Sequence, residues 1–129
     1  ELGIADALRG LAHTFESRTG CPVDVQVVLP ESLPAAVEVA AYRIGCEALT
    51  NVARHARAGW ARVTVRVEGQ ALVVVVIDDG RGGAADRPGG TGMGSMRQRA
   101  VEVGGTLEVD STAAGTRLIA RLPLKADLS

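Results

Sequence analysis

Asn51 lies four residues after Glu47, and Arg54 and His55 lie three and four after Asn51, which places them on one face of a helix. An amide oxygen such as that of Asn51 is a hard ligand of the kind Mg²⁺ accepts alongside phosphate oxygens and water. Arg54 and His55 can meet phosphate charge. A solvated helix face is the plainer account of the same four groups, so these residues open a phosphate reading without closing it.

A second group follows an apolar run. Asp78-Asp79-Gly80-Arg81-Gly82 comes directly after Ala71 to Ile77, a stretch apolar on both faces and rich in β-branched residues. A carboxylate at the end of such a strand leaves water only where it accepts good hydrogen bonds, and the exocyclic amine of adenine would supply one. Gly80 and Gly82 let the backbone approach a flat ring closely. An ordinary turn would read the same way. The third group, Gly89-Gly90-Thr91-Gly92-Met93-Gly94, leads into a helix, where free N–H groups and the helix dipole favour an anion, phosphate being the natural one. It lacks the Gly-Lys-Ser/Thr of a Walker loop and the preceding strand of a dinucleotide fingerprint. A nucleotide reading therefore depends on all three groups occurring together.

The surrounding elements must bring them together. Leu8, Leu11, Ala12 and Phe15 predict a first helix ended by Gly20, and Val23 to Leu29 alternates as a strand. Ser32 and Pro34 stand where an N-cap and a first-turn proline belong. From Ala35 to about Arg57 the chain is Ala-rich, with Val37, Ala41, Ile44, Ala48 and Val52 on one face, so this is the longest predicted helix. Val63, Val65 and Val67 alternate with Arg62, Thr64, Arg66 and Glu68 as a strand with one wet face, and a tight turn at Gly69-Gln70 leads into the Ala71 to Ile77 strand, which belongs in the middle of the sheet. Residues 78–94 are too rich in glycine for helix or strand and read as a long loop. A short helix is expected from Ser95 to Val103, then strands around Leu107 to Val109 and Thr116 to Leu122 with a turn at Gly115. This order predicts an α/β architecture with helices on one face of a mainly antiparallel sheet.

Composition narrows the function classes. The 129 residues suit one domain, 47% are hydrophobic, and 14 basic against 15 acidic residues leave a net charge of −1. Nothing in that balance favours nucleic acid or an anionic membrane, and only Phe15, Tyr42 and Trp60 could stack on bases or sugars. The longest apolar run falls far short of the ~20 residues of a membrane helix. Cys21 and Cys46 lack metal-ligand spacing and read as reduced, partly buried thiols. The chain opens at Glu1 on a helical pattern, which suggests a piece of a longer protein.

Taken in order, the three groups resemble the ATP-binding domain of sensor histidine kinases, a two-layer α/β sandwich of the Bergerat type shared with gyrase, mismatch-repair and heat-shock chaperone ATPases. The likeness covers nearly the whole chain: YRIGCEALTNVARHARA is similar to the family's Asn-containing box, VVVVIDDGRGG to its first glycine box, GGTGMGSMRQRA to its second and GTRLIARLPL to its closing strand. Met96-Arg97-Gln98-Arg99 echoes the Met-Arg-x-Arg helix of the nitrate-sensor and desaturase-regulator type.

The resemblance implies ATP and Mg²⁺ as ligands. Asn51 would hold the metal, Arg54 and His55 would approach the phosphates, Asp78 would receive the adenine amine, and Thr116 would support the pocket floor. Gly80, Gly82, Thr91, Gly92, Met93 and Gly94 would shape the nucleotide site. Glu47 falls at the acidic position of the Asn box; in hydrolysing relatives that position activates water, which a kinase must keep from the γ-phosphate. The expected reaction is transfer of the γ-phosphoryl group to a histidine on a dimerisation domain, homodimeric in the full-length kinase, with a response regulator downstream. That acceptor element is absent here: His55 lies in the ATP-site motif, and His13 lacks the acidic neighbour and sits on the first helix. The resemblance implies a cytoplasmic domain, free or belonging to a membrane-anchored sensor, with no direct membrane contact of its own. A serine kinase of the anti-sigma-factor type and a nucleotide sensor without transfer are the alternative readings of the same motifs.

Overall fold

The computed structural model describes residues 3–30, 32–53, 58–80 and 93–124. The first helix, α1 (Ile4–Thr19), buries Ile4, Leu8, Ala12 and Phe15 and ends at Gly20, whose φ of 77° lets its N–H turn back to the Glu16 carbonyl at 2.8 Å. Strand β1 (Val23–Val27) follows, with its valines half-buried and Asp24 and Gln26 exposed. Helix α2 (Ala35–Asn51) buries the expected stripe of Val37, Ala41, Ile44 and Ala48.

The start of α2 differs from expectation. Its N-cap is Pro34, at φ −56° and ψ 136°, with no side-chain cap. Ser32 stands two residues too early for its hydroxyl to reach the first free amides, so the fixed φ of proline directs the entry instead. The α-helix runs to Asn51 and the chain stays helical, in π-type geometry, at Val52 and Ala53, while the rest of the expected helix, residues 54–57, lies outside the described residues.

Strands β2 (Ala61–Glu68) and β3 (Ala71–Asp78) form a hairpin through Gly69-Gln70. Helix α3 (Met93–Glu102) and strands β4 (Thr106–Thr112) and β5 (Gly115–Pro123) complete the chain, so Met93 and Gly94 are helical where a loop was expected. The sheet order is β1-β2-β3-β5-β4, with β1 and β2 parallel and every other pair antiparallel. Ala71 to Ile77 thus occupies the central strand. The three helices pack on one face around Leu8, Ile44, Leu49, Leu72, Val74, Met96 and Leu122.

The opposite face explains why β3 is apolar on both sides although helices cover only one. Across it, Arg62, Ile77 and Arg117 stand in register, as do Arg66, Val73 and Arg121. The arginine stems lie along the apolar stripe while their heads reach water or acids: Arg62 pairs with Asp24 at 3.2 Å, and Arg66 and Arg121 share Glu68. Val73 is 1% exposed without any helix above it.

The β4–β5 turn is made by Ala113 and Ala114, and Gly115 instead begins β5 at φ +146°. A Cβ there would lie 2.0 Å from the Asp78 carbonyl oxygen. Gly115→Ala is therefore expected to destabilise the domain by at least about 2 to 3 kcal/mol, through backbone strain and a backbone clash. A chemical denaturation midpoint indistinguishable from wild type would refute this.

Candidate functional site

The topology brings Asp78 and Thr116, two of the expected site residues, together at one end of the sheet. Ala61 at the start of β2, Asp78 at the end of β3 and Thr116 near the start of β5 are neighbours in register. After α2 ends at Asn51 the chain enters the sheet at Ala61, the first residue of β2. Asp79 fastens that entry: its Oδ1 accepts the N–H groups of Gly59 at 2.7 Å and Trp60 at 3.0 Å. Asp78 and Asp79 thus divide the work, one facing inward and the other latching the connection.

Asp78 is 5% exposed, and its Oδ1 accepts the Gly80 N–H at 2.9 Å. Burial pushes its carboxyl above the ordinary value, the backbone N–H groups of Gly80 and Thr116 pull it down, and the neighbouring charge of Asp79 adds to the rise. With the folded pKa above the unfolded one, the native state keeps its proton longer. Stability from this group is therefore present in acid and is lost as pH rises through the raised value. Ligand binding runs the other way, because an ionised acceptor binds an amine donor best. The expected outcome is that ADP affinity falls as pH is lowered through this range, and that Asp78→Asn flattens the dependence. A wild-type affinity constant across mildly acidic pH would refute it.

Asn51 is 8% exposed, and with Asp78 it is one of two buried polar or charged residues among those described. One turn earlier, Glu47 Oε1 accepts Ser95 Oγ at 3.2 Å and Arg99 Nε at 3.1 Å, while its Oε2 is buried with no partner among the described residues. These contacts hold the start of α3, with Met93 and Gly94, alongside the Glu47–Asn51 turn. Thr116 supplies its N–H to Asp78, and its hydroxyl lies 3.2 Å from that of Ser111. Arg54, His55, Gly82, Thr91 and Gly92 lie outside the described residues.

The donor set suits a metal that arrives with its ligand. Among the described residues no three His, Cys, Asp or Glu side chains cluster as a cage, whereas one amide on a helix end matches an ion taking its remaining ligands from phosphates and water. An adenine likewise fits the buried Asp78 carboxylate, which burial alone disfavours and a donor would relieve. Cys21 is free and buried, its thiol raised by burial and by the charges of Asp79 and Asp78; Cys46 is free and half-buried. Neither thiol has a metal-ligand set. No helix among the described residues is long and apolar enough to cross a membrane.

Sequence reasoning missed three parts of this site. The Asp79 latch, the Glu47–Arg99 pair and the close approach of Gly115 to Asp78 each join segments distant in sequence. A usable signal existed only for the second, since Ser95 and Arg99 stand four residues apart on one face of a helix.

Comparison with known proteins agrees with this geometry. The family profile described as histidine kinase-, DNA gyrase B-, and HSP90-like ATPase matches residues 36–126. The sensor histidine kinase YxjM of Bacillus subtilis is 37% identical over 121 residues, covering 92% of this chain and 30% of the relative. LiaS of the same organism is 32% identical over 126 residues, covering 95% and 34%. The chain thus spans about a third of the length of these relatives. The histidine kinase domain of the blue-light activated kinase EL346 from Erythrobacter litoralis superposes with a TM-score of 0.79 at 25% identity, over 95% of this chain and 62% of that one. AdeS of Acinetobacter baumannii, at 14% identity, a TM-score of 0.80 and coverage of 97% and 66%, shares the fold. The chain belongs to the histidine kinase-, gyrase B- and HSP90-like ATPase family, as an ATP-binding catalytic domain of the histidine kinase type.

Proposed function

We propose that this domain binds Mg·ATP at the rim formed by α2, β3, β5 and the start of α3, and passes the γ-phosphoryl group to a histidine on a dimerisation domain of a longer, cytoplasmic sensor kinase. A response regulator would then take the phosphoryl group. The observation that carries the reading is the pair of buried polar groups, a carboxylate at the end of the central strand and an amide at the end of the longest helix. Separate groups for the base and the phosphates are what a nucleotide requires.

In the proposed reaction an imidazole nitrogen lone pair forms the N–P bond as the bond from the γ-phosphorus to the β–γ bridging oxygen breaks, and ADP leaves with that electron pair. Asp78 holds the adenine and so aligns the triphosphate. Asn51 would offer one oxygen to Mg²⁺, Arg54 and His55 would approach the phosphates, and Gly80, Gly82, Thr91, Gly92, Met93 and Gly94 would shape the nucleotide pocket. When bound, the ion neutralises charge on the phosphates. Positioning does most of the work, because the transition state needs little covalent help from the protein.

The test is incubation with γ-labelled ATP, alone and with the histidine-bearing hairpin of the same kinase. The isolated domain is expected to bind ATP without labelling itself and to label the hairpin in acid-labile form. Stable label on His13 or His55, or none on the hairpin, would overturn the proposal.

A further inference from the structure

The only polar junction between α2 and α3 among the described residues centres on Glu47. Ser95 and Arg99, four residues apart, share a face of α3, and both donate to the same carboxylate oxygen, at 3.2 and 3.1 Å. The Arg99 and Glu47 side chains are 32% and 26% exposed, so the pair is half-buried. Met96 and Ala100 of the same helix are fully buried, which limits how far α3 can slide to find other partners. A carboxylate held by two donors at one oxygen gives up both if it turns elsewhere, and would leave a half-buried guanidinium uncompensated. Glu47 stands one turn before Asn51, and Ser95 stands two residues after Met93, the first residue of α3.

We infer that Glu47, Ser95 and Arg99 form a strut that sets the distance between Asn51 and the first turn of α3. Ser95 and Arg99 are then positioning residues for the triphosphate end of the ligand, and Glu47 holds α3 in place and does not transfer a proton. This rests on the nucleotide-binding reading and deepens it. The adenine end is built separately, on Asp78 and Thr116 of β3 and β5, which the strut does not touch. Its influence is therefore confined to the phosphates.

A double-mutant cycle on the isolated domain tests this, with Glu47→Ala, Arg99→Met and the double variant titrated calorimetrically against two probes. The probes are ADP in chelator and a non-hydrolysable ATP analogue, AMP-PNP, with Mg²⁺. Arg99→Met is expected to weaken Mg·AMP-PNP about tenfold while ADP in chelator changes less than about twofold, and the double variant to lose no more than Arg99→Met alone. Arg99→Lys should recover part of the loss, and Ser95→Ala, the mildest change, should show a smaller loss of the same selectivity. A contact that merely stabilises the fold would weaken both probes alike. Equal losses for the two probes, losses that multiply in the double variant, or unchanged Mg·AMP-PNP affinity in Arg99→Met and Ser95→Ala would overturn the strut. Wild type that binds neither probe would overturn the nucleotide reading itself, and the strut with it.

Discussion

Replacing Asp78 with alanine is expected to weaken ADP binding ten- to hundredfold, or about 1.5 to 3 kcal/mol, whether or not Mg²⁺ is present. The size follows from burial: at 5% exposure the carboxylate has given up most of its water, so a donor on the ligand replaces a missing partner and does not compete with solvent. The fold should tolerate the change. Burial already disfavours the charged form of this group, so its removal deletes a strained charge and leaves the Gly80 and Thr116 N–H groups to find water. Calorimetric titration in Mg²⁺ and in chelator checks the claim, and an Asp78→Ala loss seen only with metal would move Asp78 from the base to the phosphates.

The second large effect belongs to Asn51. Asn51→Ala should leave ADP binding in chelator nearly intact, remove most of the extra affinity that Mg²⁺ confers on ATP, and abolish transfer to a supplied histidine. Its amide sits at the last residue of α2, 8% exposed, on a helix whose Glu47 turn is tied to α3. Because Asp78 and Asn51 come from different elements with separate anchors, only the Asn51 variant should show a loss that depends on metal. If Asn51→Ala weakens chelated ADP as much as Asp78→Ala does, the division of roles fails even though the fold stands.

The features that sequence reasoning captured are those that local periodicity or composition enforces. Ala71 to Ile77 reads as a central strand because alternate residues on both faces must avoid water, and the structure places it third of five. Val37, Ala41, Ile44 and Ala48 read as a buried helical stripe for the same reason. What escaped depends on contacts between distant segments. Arg99 and Glu47 are 52 positions apart, and the shared helix face of Ser95 and Arg99 marks a polar contact without naming its partner. Asp79 reads like Asp78 in sequence, yet one step along a strand reverses the side chain and gives it a different partner. The displaced cap at Pro34 likewise reflects how the chain enters α2, which propensity at Ser32 does not record.

The most direct test of the central claim, that a buried carboxylate at the end of the central strand selects adenine, is a titration of the isolated domain with ADP and with GDP in chelator. Adenine carries an amine donor at its 6-position where guanine carries a carbonyl, which would set an acceptor against the Asp78 acceptor with no hydrogen between them. The account predicts saturable ADP binding and GDP binding weaker by on the order of a hundredfold or more. Equal affinities for the two nucleotides would contradict it.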